Sequence, residues 1–244
     1  MLESLQTNGL LQILLLTLIA GLAMPLGAAL ASVERIRPRW LETEVRHSVI
    51  AFGGGALLAA VALVLVPEGS AGLSLVPIVV CFAAGGIAFM LLDRWLAANG
   101  TPASQLVAML SDFVPEAMAL GATFSVSSQG GMLLAGIIAL QNVPEGFNSY
   151  RELAKATHYR RRTIVGGLAL MALLGPVAGV VGYFLLSDTP QVVSGIMLFA
   201  AGGILYIIFQ DIAPQARLKK HWAPPLGALA GFLLGLAGEV ALGS

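Results

Sequence analysis

Charge is scarce in this sequence. Only 11% of its 244 residues are Asp, Glu, Lys or Arg, against about 25% in a soluble domain, which excludes the soluble globular class. Cysteine is scarcer still: a single Cys81 permits no intramolecular disulfide and no cysteine-rich zinc centre. The three histidines, His47, His158 and His221, stand in or beside polar loops, and no His-Glu-x-x-His occurs. A Gly-x-Ser-x-Gly elbow is missing, as is a phosphate-binding glycine loop ending in Lys-Ser/Thr. Metalloprotease, hydrolase and ATP-driven pump chemistry therefore lack their residues, and neither enzyme activity nor a resident cofactor is expected. A formal net charge of zero without a long basic run gives no sign of a nucleic-acid partner.

What is present is apolar sequence. Hydrophobic residues make up 57% of the chain and its mean hydropathy is +0.87, the composition of an all-α polytopic membrane protein. A spanning helix needs about 20 mostly apolar residues, and the charges punctuate the chain at about that interval. Eight spans are predicted, near 9–31, 48–67, 70–92, 103–126, 130–151, 163–187, 189–210 and 223–243, forming one transmembrane domain over residues 1–244. The first is too long, and too soon followed by others, to read as a cleaved signal peptide alone. Arg35, Arg37, Arg39, Arg46, Arg94, Arg151, Lys155, Arg160, Arg161, Arg162, Arg217, Lys219 and Lys220 all fall on one side of this arrangement. The positive-inside rule makes that side cytoplasmic and both termini extracytoplasmic.

Two of the spans carry a proline-glutamate pair: Ser-Asp-Phe-Val-Pro-Glu-Ala at 111–117 and Gln-Asn-Val-Pro-Glu-Gly at 141–146. A carboxylate inside a membrane segment costs roughly 2.5–3.5 kcal/mol even on the mild insertion scale, so it marks function by default. At a rise of about 1.5 Å per residue, Asp112 and Glu116 lie about 14 and 20 Å along span 4, and Asn142 and Glu145 about 18 and 23 Å along the antiparallel span 5. All converge near the bilayer middle. Asp112 with Glu116, and Gln141 with Glu145, share a helix face at i, i+4 spacing. Pro115 and Pro144 each lack an N–H and are expected to kink their helices, freeing the carbonyls of Ser111 and Leu140. Three acids and two amides make a hard oxygen site suited to a divalent metal, carried as substrate.

These motifs resemble the ZIP family of divalent-metal transporters, whose signature is His-Asn-x-Pro-Glu-Gly in span 4 and a related motif in span 5. Phe52-Gly-Gly-Gly-Ala-Leu-Leu-Ala-Ala with Val66-Pro67-Glu68-Gly69 resembles the family's span 2. Ala119-Leu-Gly-Ala-Thr-Phe resembles its continuation of span 4, and Phe209-Gln-Asp-Ile-Ala-Pro214 its acidic close of span 7. The resemblance, that of a divergent prokaryotic-type member, implies an eight-helix bundle with helices 4 and 5 at the centre. It also implies residence in a prokaryotic inner or plasma membrane, an inverted repeat relating spans 1–3 to 6–8, a homodimer as a possible assembly, and metal movement toward the cytoplasm. Carried over residue by residue, it gives a metal site of Asp112, Glu116, Gln141, Asn142 and Glu145. Asp112 stands where the family usually has His, Phe113 where it has Asn, and Ala117 where it has Gly. Gly175 stands where many members have a Glu before Pro. A single all-oxygen site favouring manganese or ferrous iron over zinc is the expectation.

Other polar positions sketch a path: Glu68 at the outer end, and Asn148, Glu152 and Asp211 between midplane and cytoplasm. Asp93 and Glu239 read as structural or interfacial. Two alternatives use the same residues: a transport-inactive ZIP-like metal sensor or membrane scaffold, and a proton-coupled carrier of an organic solute.

Overall fold

A computed structural model describes residues 2–33, 39–99, 102–126, 128–186, 189–217 and 221–242, with side chains at all of these except 2–8, 39–42, 99, 102–108, 111, 112, 126, 185, 186 and 242. Every extended element among them is helical. In chain order these are α1 (Leu2–Val33), α2 (Arg39–Ala59), a π-helical turn (Ala60–Leu65), α3 (Val66–Ser70), α4 (Leu75–Asn99), α5 (Pro102–Val126) and α6 (Ser128–Ala156). There follow α7 (Arg161–Ala172), α8 (Leu174–Leu186), α9 (Pro190–Ile207), a second π turn (Ile208–Ile212), α10 (Ala213–Ala216) and α11 (Ala223–Leu242).

Six stretches are helical, long and apolar enough to cross a membrane: 9–33, 43–70, 75–98, 161–184, 190–216 and 223–241. Helices α5 and α6, which carry the Pro-Glu motifs, fall outside that set among the described residues. α6 is diluted by Gln141, Asn142 and Glu145, and it packs between α1, α2, α5 and α11. Apolar rods on the outside thus enclose the pair that holds the polar residues, which a bilayer demands of polar groups at depth.

The helices also run past the apolar stretches at their charged ends: α2 starts at Arg39 and α4 continues beyond Asp93 to Asn99. Hydropathy registers the hydrocarbon boundary, whereas the backbone hydrogen-bond ladder stops only at a cap or breaker. Neither Pro115 nor Pro144 breaks its helix. The interruption falls instead at Leu173, just before Gly175-Pro176, where α7 ends and α8 begins. The two π turns each end just short of a proline, Pro67 and Pro214. Widening the helix there relieves the clash of the proline ring with the carbonyl four residues back.

Packing is set by glycines that admit a neighbour's backbone. A Cβ at Gly27 of α1 would strike the Val143 carbonyl of α6, and one at Gly146 of α6 the Met24 carbonyl of α1. The same reciprocal contact joins Gly182 of α8 to Met118 of α5, and Gly121 to Gly179. It recurs between α2 and α11, as Gly55 with Ala228 and Gly231 with Phe52, and between α4 and α9, as Gly202 with Phe82 and Gly85 with Phe199. These contacts are copies of one another. One fixed spacing carries Phe52, Gly55 and Pro67 of the α2–α3 rod onto Phe199, Gly202 and Pro214 of the α9–α10 rod; others carry α4 onto α11, α5 onto α6 and α1 onto α8. Successive rods alternate in direction, so the matched rods are antiparallel and the two halves form an inverted repeat.

Candidate functional site

Glu116, on α5, is 4% exposed, and Gln141, on α6, 2%. The Gln141 Nε2 donates to both carboxylate oxygens of Glu116, at 2.7 Å each. By the spacing that relates α5 to α6, these two residues are each other's counterparts, so their hydrogen bonds lie on the pseudo-two-fold axis. A buried carboxylate needs such a partner, because leaving its charge unsolvated and unpaired costs several kcal/mol. The Gln141 Oε1 itself has no hydrogen-bond partner among the described residues.

A cavity of about 410 Å³ begins at Gln141 and Glu145 and continues toward the end of the bundle where Arg46, Arg94 and Arg151 lie. Along α6 it passes Asn148, Ser149 and Glu152, a run of about 16 Å. Its facing wall carries Asp93, Tyr206, Asp211 and Gln215. Four acidic residues, Asp93, Glu145, Glu152 and Asp211, therefore line one cavity with low-dielectric walls, an arrangement that concentrates cations. Asn148 is the hub of the lower wall, donating to Glu152 at 3.1 Å and Gln215 at 3.3 Å and accepting from Arg46 at 3.4 Å. The Tyr206 hydroxyl donates to Asp93 at 3.1 Å across the α4–α9 seam. Beyond the Glu116–Gln141 pair, toward the other end, the described residues pack tightly and mostly with apolar side chains: Leu65, Leu120, Leu134, Ile137 and Ile138 are each at most 2% exposed.

The sequence-predicted residues divide accordingly. Glu116 and Gln141 meet, and Glu145, Asn148, Glu152 and Asp211 line the cavity. Asn142, fully buried, is not among the cavity-lining residues; it donates to the Ala20 carbonyl of α1 at 2.8 Å, and its own Oδ1 lacks a partner among the described residues. Glu68, half-buried on α3, sits at the opposite end, away from the cavity. The Asp112 side chain lies outside the described residues. Sequence reasoning missed Asp93 and Tyr206. Asp93 closes an apolar run and precedes Arg94, so it reads as a boundary, yet the overrun of α4 brings it into the cavity wall.

Phe113, 2% exposed, fills the space beside this centre. An added Cβ at Gly175 would lie 2.6 Å from the Phe113 Cζ, and one at Gly21 would lie 2.9 Å from it. The ring is thus seated between α1 and α8 in room that only these glycines leave. Among the described residues no group of three His, Cys, Asp or Glu side chains is arranged to hold a metal. Glu116 is held by Gln141, which lines the cavity together with Glu145.

Residues 103–243, spanning the paired motifs and everything after them, match the family model described as the ZIP zinc transporter. The chain belongs to the ZIP family. Metal-cation transport is therefore its class of activity, and the six apolar rods make it an integral membrane protein. No curated protein matches the chain. In the ZIP setting the cavity acquires a chemical meaning: its polar lining is carboxylates, amides, the Ser149 hydroxyl and a phenol, without imidazole or thiolate.

Proposed function

We propose that the chain carries divalent cations of the zinc, iron and manganese class into the cytoplasm by alternating access through a single oxygen site formed by Asp112, Glu116, Gln141 and Glu145. One observation carries this reading: the buried Glu116–Gln141 pair communicates, through Gln141 and Glu145, with an acidic cavity at one end and meets sealed apolar packing at the other. That is the form of an inward-facing state with a midplane site. The Gln141 Oε1, buried without a partner, offers lone pairs that a cation would satisfy. Asn142 is a positioning residue that ties α6 to α1. Phe113 and Gly175 together favour one ion, since an aromatic ring fills the neighbouring space. Helices α5 and α6 complete an eight-span bundle, and the basic end faces the cytoplasm by the positive-inside rule. Glu152 and Asp211, with Asp93, form the exit; Glu68 serves the entrance.

Purified protein in proteoliposomes is expected to show saturable influx of Mn²⁺, Fe²⁺ or Zn²⁺ driven by the ion's own gradient, with no ATP requirement. Absence of flux for all three would leave a sensor or scaffold. The cavity is also large enough for a small organic molecule, and solute-coupled proton flux without metal flux would favour that carrier.

A further inference from the structure

A hard divalent ion takes oxygen ligands, yet the cavity that leads from the central pair has a wall that is mostly apolar. Ile50 and Leu57 of α2, Phe89 and Leu92 of α4, Ile207 of α9 and Ile212 of the second π turn all line it. Its volume of about 410 Å³ is that of a small-molecule pocket, roughly 300–1,000 Å³. The acidic residues form two groups, one toward each end. At the inner end stand Glu145 and Gln141, whose Oε1 is buried and without a hydrogen-bond partner among the described residues. At the outer end Asp211 lies within charge-interaction range of both Asp93 and Glu152. Glu145 and Glu152 are two turns apart on α6, a rise of about 10 Å.

Two acidic ends joined by an apolar wall are the complement of an alkyl chain with an ammonium at each end. We propose that the cavity is also a binding site for linear aliphatic di- and triamines, which enter from the basic end, compete with the metal for Glu145 and Gln141, and block its release. The block rests on the transport reading, whereas the amine site itself does not. One ammonium donates to the Gln141 Oε1 and to Glu145, since an ammonium has three donors and no acceptor while an amide oxygen and a carboxylate accept. The other sits on the facing wall at Asp93 and Asp211, because Arg46 already contacts Asn148 on the α6 side. An extended chain advances about 1.25 Å per bond, given bonds of about 1.5 Å at about 111°. Nitrogens about 10 Å apart are thus linked by about seven atoms, the length of a heptane diamine. Between them the methylenes pack on Leu57, Phe89 and Leu92, each one removed from water adding about fourfold in affinity. A metal ion gains nothing from that wall.

Thermal unfolding of the purified protein in detergent reads this site without requiring flux. Diaminoheptane, diaminopropane and heptylamine are titrated at constant ionic strength, with and without Mn²⁺. Diaminoheptane is expected to reach half-maximal stabilisation at a concentration at least about tenfold below either of the others, because heptylamine lacks the second charge-assisted contact and diaminopropane cannot span the two groups. Mn²⁺ should raise the concentration needed, and Asp93→Asn combined with Asp211→Asn should erase the advantage over heptylamine. Asp211→Asn alone, with the advantage reduced severalfold, serves should the double variant fold poorly. Equal potency of the three amines, no stabilisation by any, indifference to Mn²⁺, or an advantage that survives the substitutions would overturn the inference. In proteoliposomes, diaminoheptane on the cavity side should inhibit Mn²⁺ influx. Stabilisation without any metal flux would support the amine site while sinking the transport reading. Flux without stabilisation would do the reverse.

Discussion

Glu145→Ala and Glu116→Ala are each expected to lower divalent-metal influx by at least about 100-fold, while Glu44→Ala leaves it unchanged. Even a residue that only supports a metal ligand typically costs 10–100-fold when removed, so a ligand should cost more. The two losses differ in origin. Glu145 faces the cavity, and its removal deprives an ion of the anionic group it meets between the open vestibule and the buried pair. Glu116 is enclosed, and its removal strands the Gln141 amide, which now donates to both carboxylate oxygens. Glu44 contacts His221 at 3.3 Å, away from the cavity wall, and has no part in either event. Initial-rate uptake in proteoliposomes checks the three variants together. Full uptake by Glu145→Ala would remove this carboxylate from the pathway.

Gly146→Ala should lose both stability and uptake. The added methyl would strike the backbone carbonyl of Met24, and backbone cannot rotate away as a side chain can. Overpacking of this kind typically costs 1–3 kcal/mol, and here about 2 kcal/mol or more is expected because the contact is reciprocated at Gly27 and Val143. Separating α1 from α6 also shifts the adjacent Glu145, so flux falls with stability. Gly136→Ala is the internal control on the same helix: nothing lies within 4 Å of its added Cβ. Removing a helix-interior glycine should leave stability unchanged or raise it by up to about 1 kcal/mol. Thermal unfolding in detergent, read beside uptake, separates the two. Equal melting temperatures for Gly146→Ala and the parent would contradict the close-packed α1–α6 seam.

Much of this architecture was written in composition and charge spacing. A chain with so few charges and such long apolar runs has to be membrane-embedded helix, and counting helix rise along the two antiparallel spans was enough to bring the motifs of Glu116 and Gln141 to about the same level. Three features resisted the reading for physical reasons. Asn142 sends its amide N–H to a backbone carbonyl on α1, far away in sequence, a contact that residue type alone does not specify. Asp93 looked interfacial because hydropathy marks where lipid ends and not where the helix ends. The π turns and the break at Leu173 depend on how prolines are accommodated by neighbouring helices, which no local pattern encodes. The inverted repeat was suggested by family resemblance, yet its register appears only in the glycine contacts, since the matched halves share few identical residues. That register also separates sequence motif from structural equivalence. Pro115-Glu116 and Pro144-Glu145 look like copies, whereas in space Glu116 pairs with Gln141 as its true counterpart and Glu145 matches Leu120.

The most direct test of a single oxygen site at the centre of the bundle is anomalous scattering from crystals of the protein soaked with Mn²⁺. The account predicts one strong peak between Glu116, Gln141 and Glu145, lost in Glu145→Ala crystals. Two adjacent peaks at the centre, or a peak only among Asp93, Glu152 and Asp211 at the cavity mouth, would contradict it.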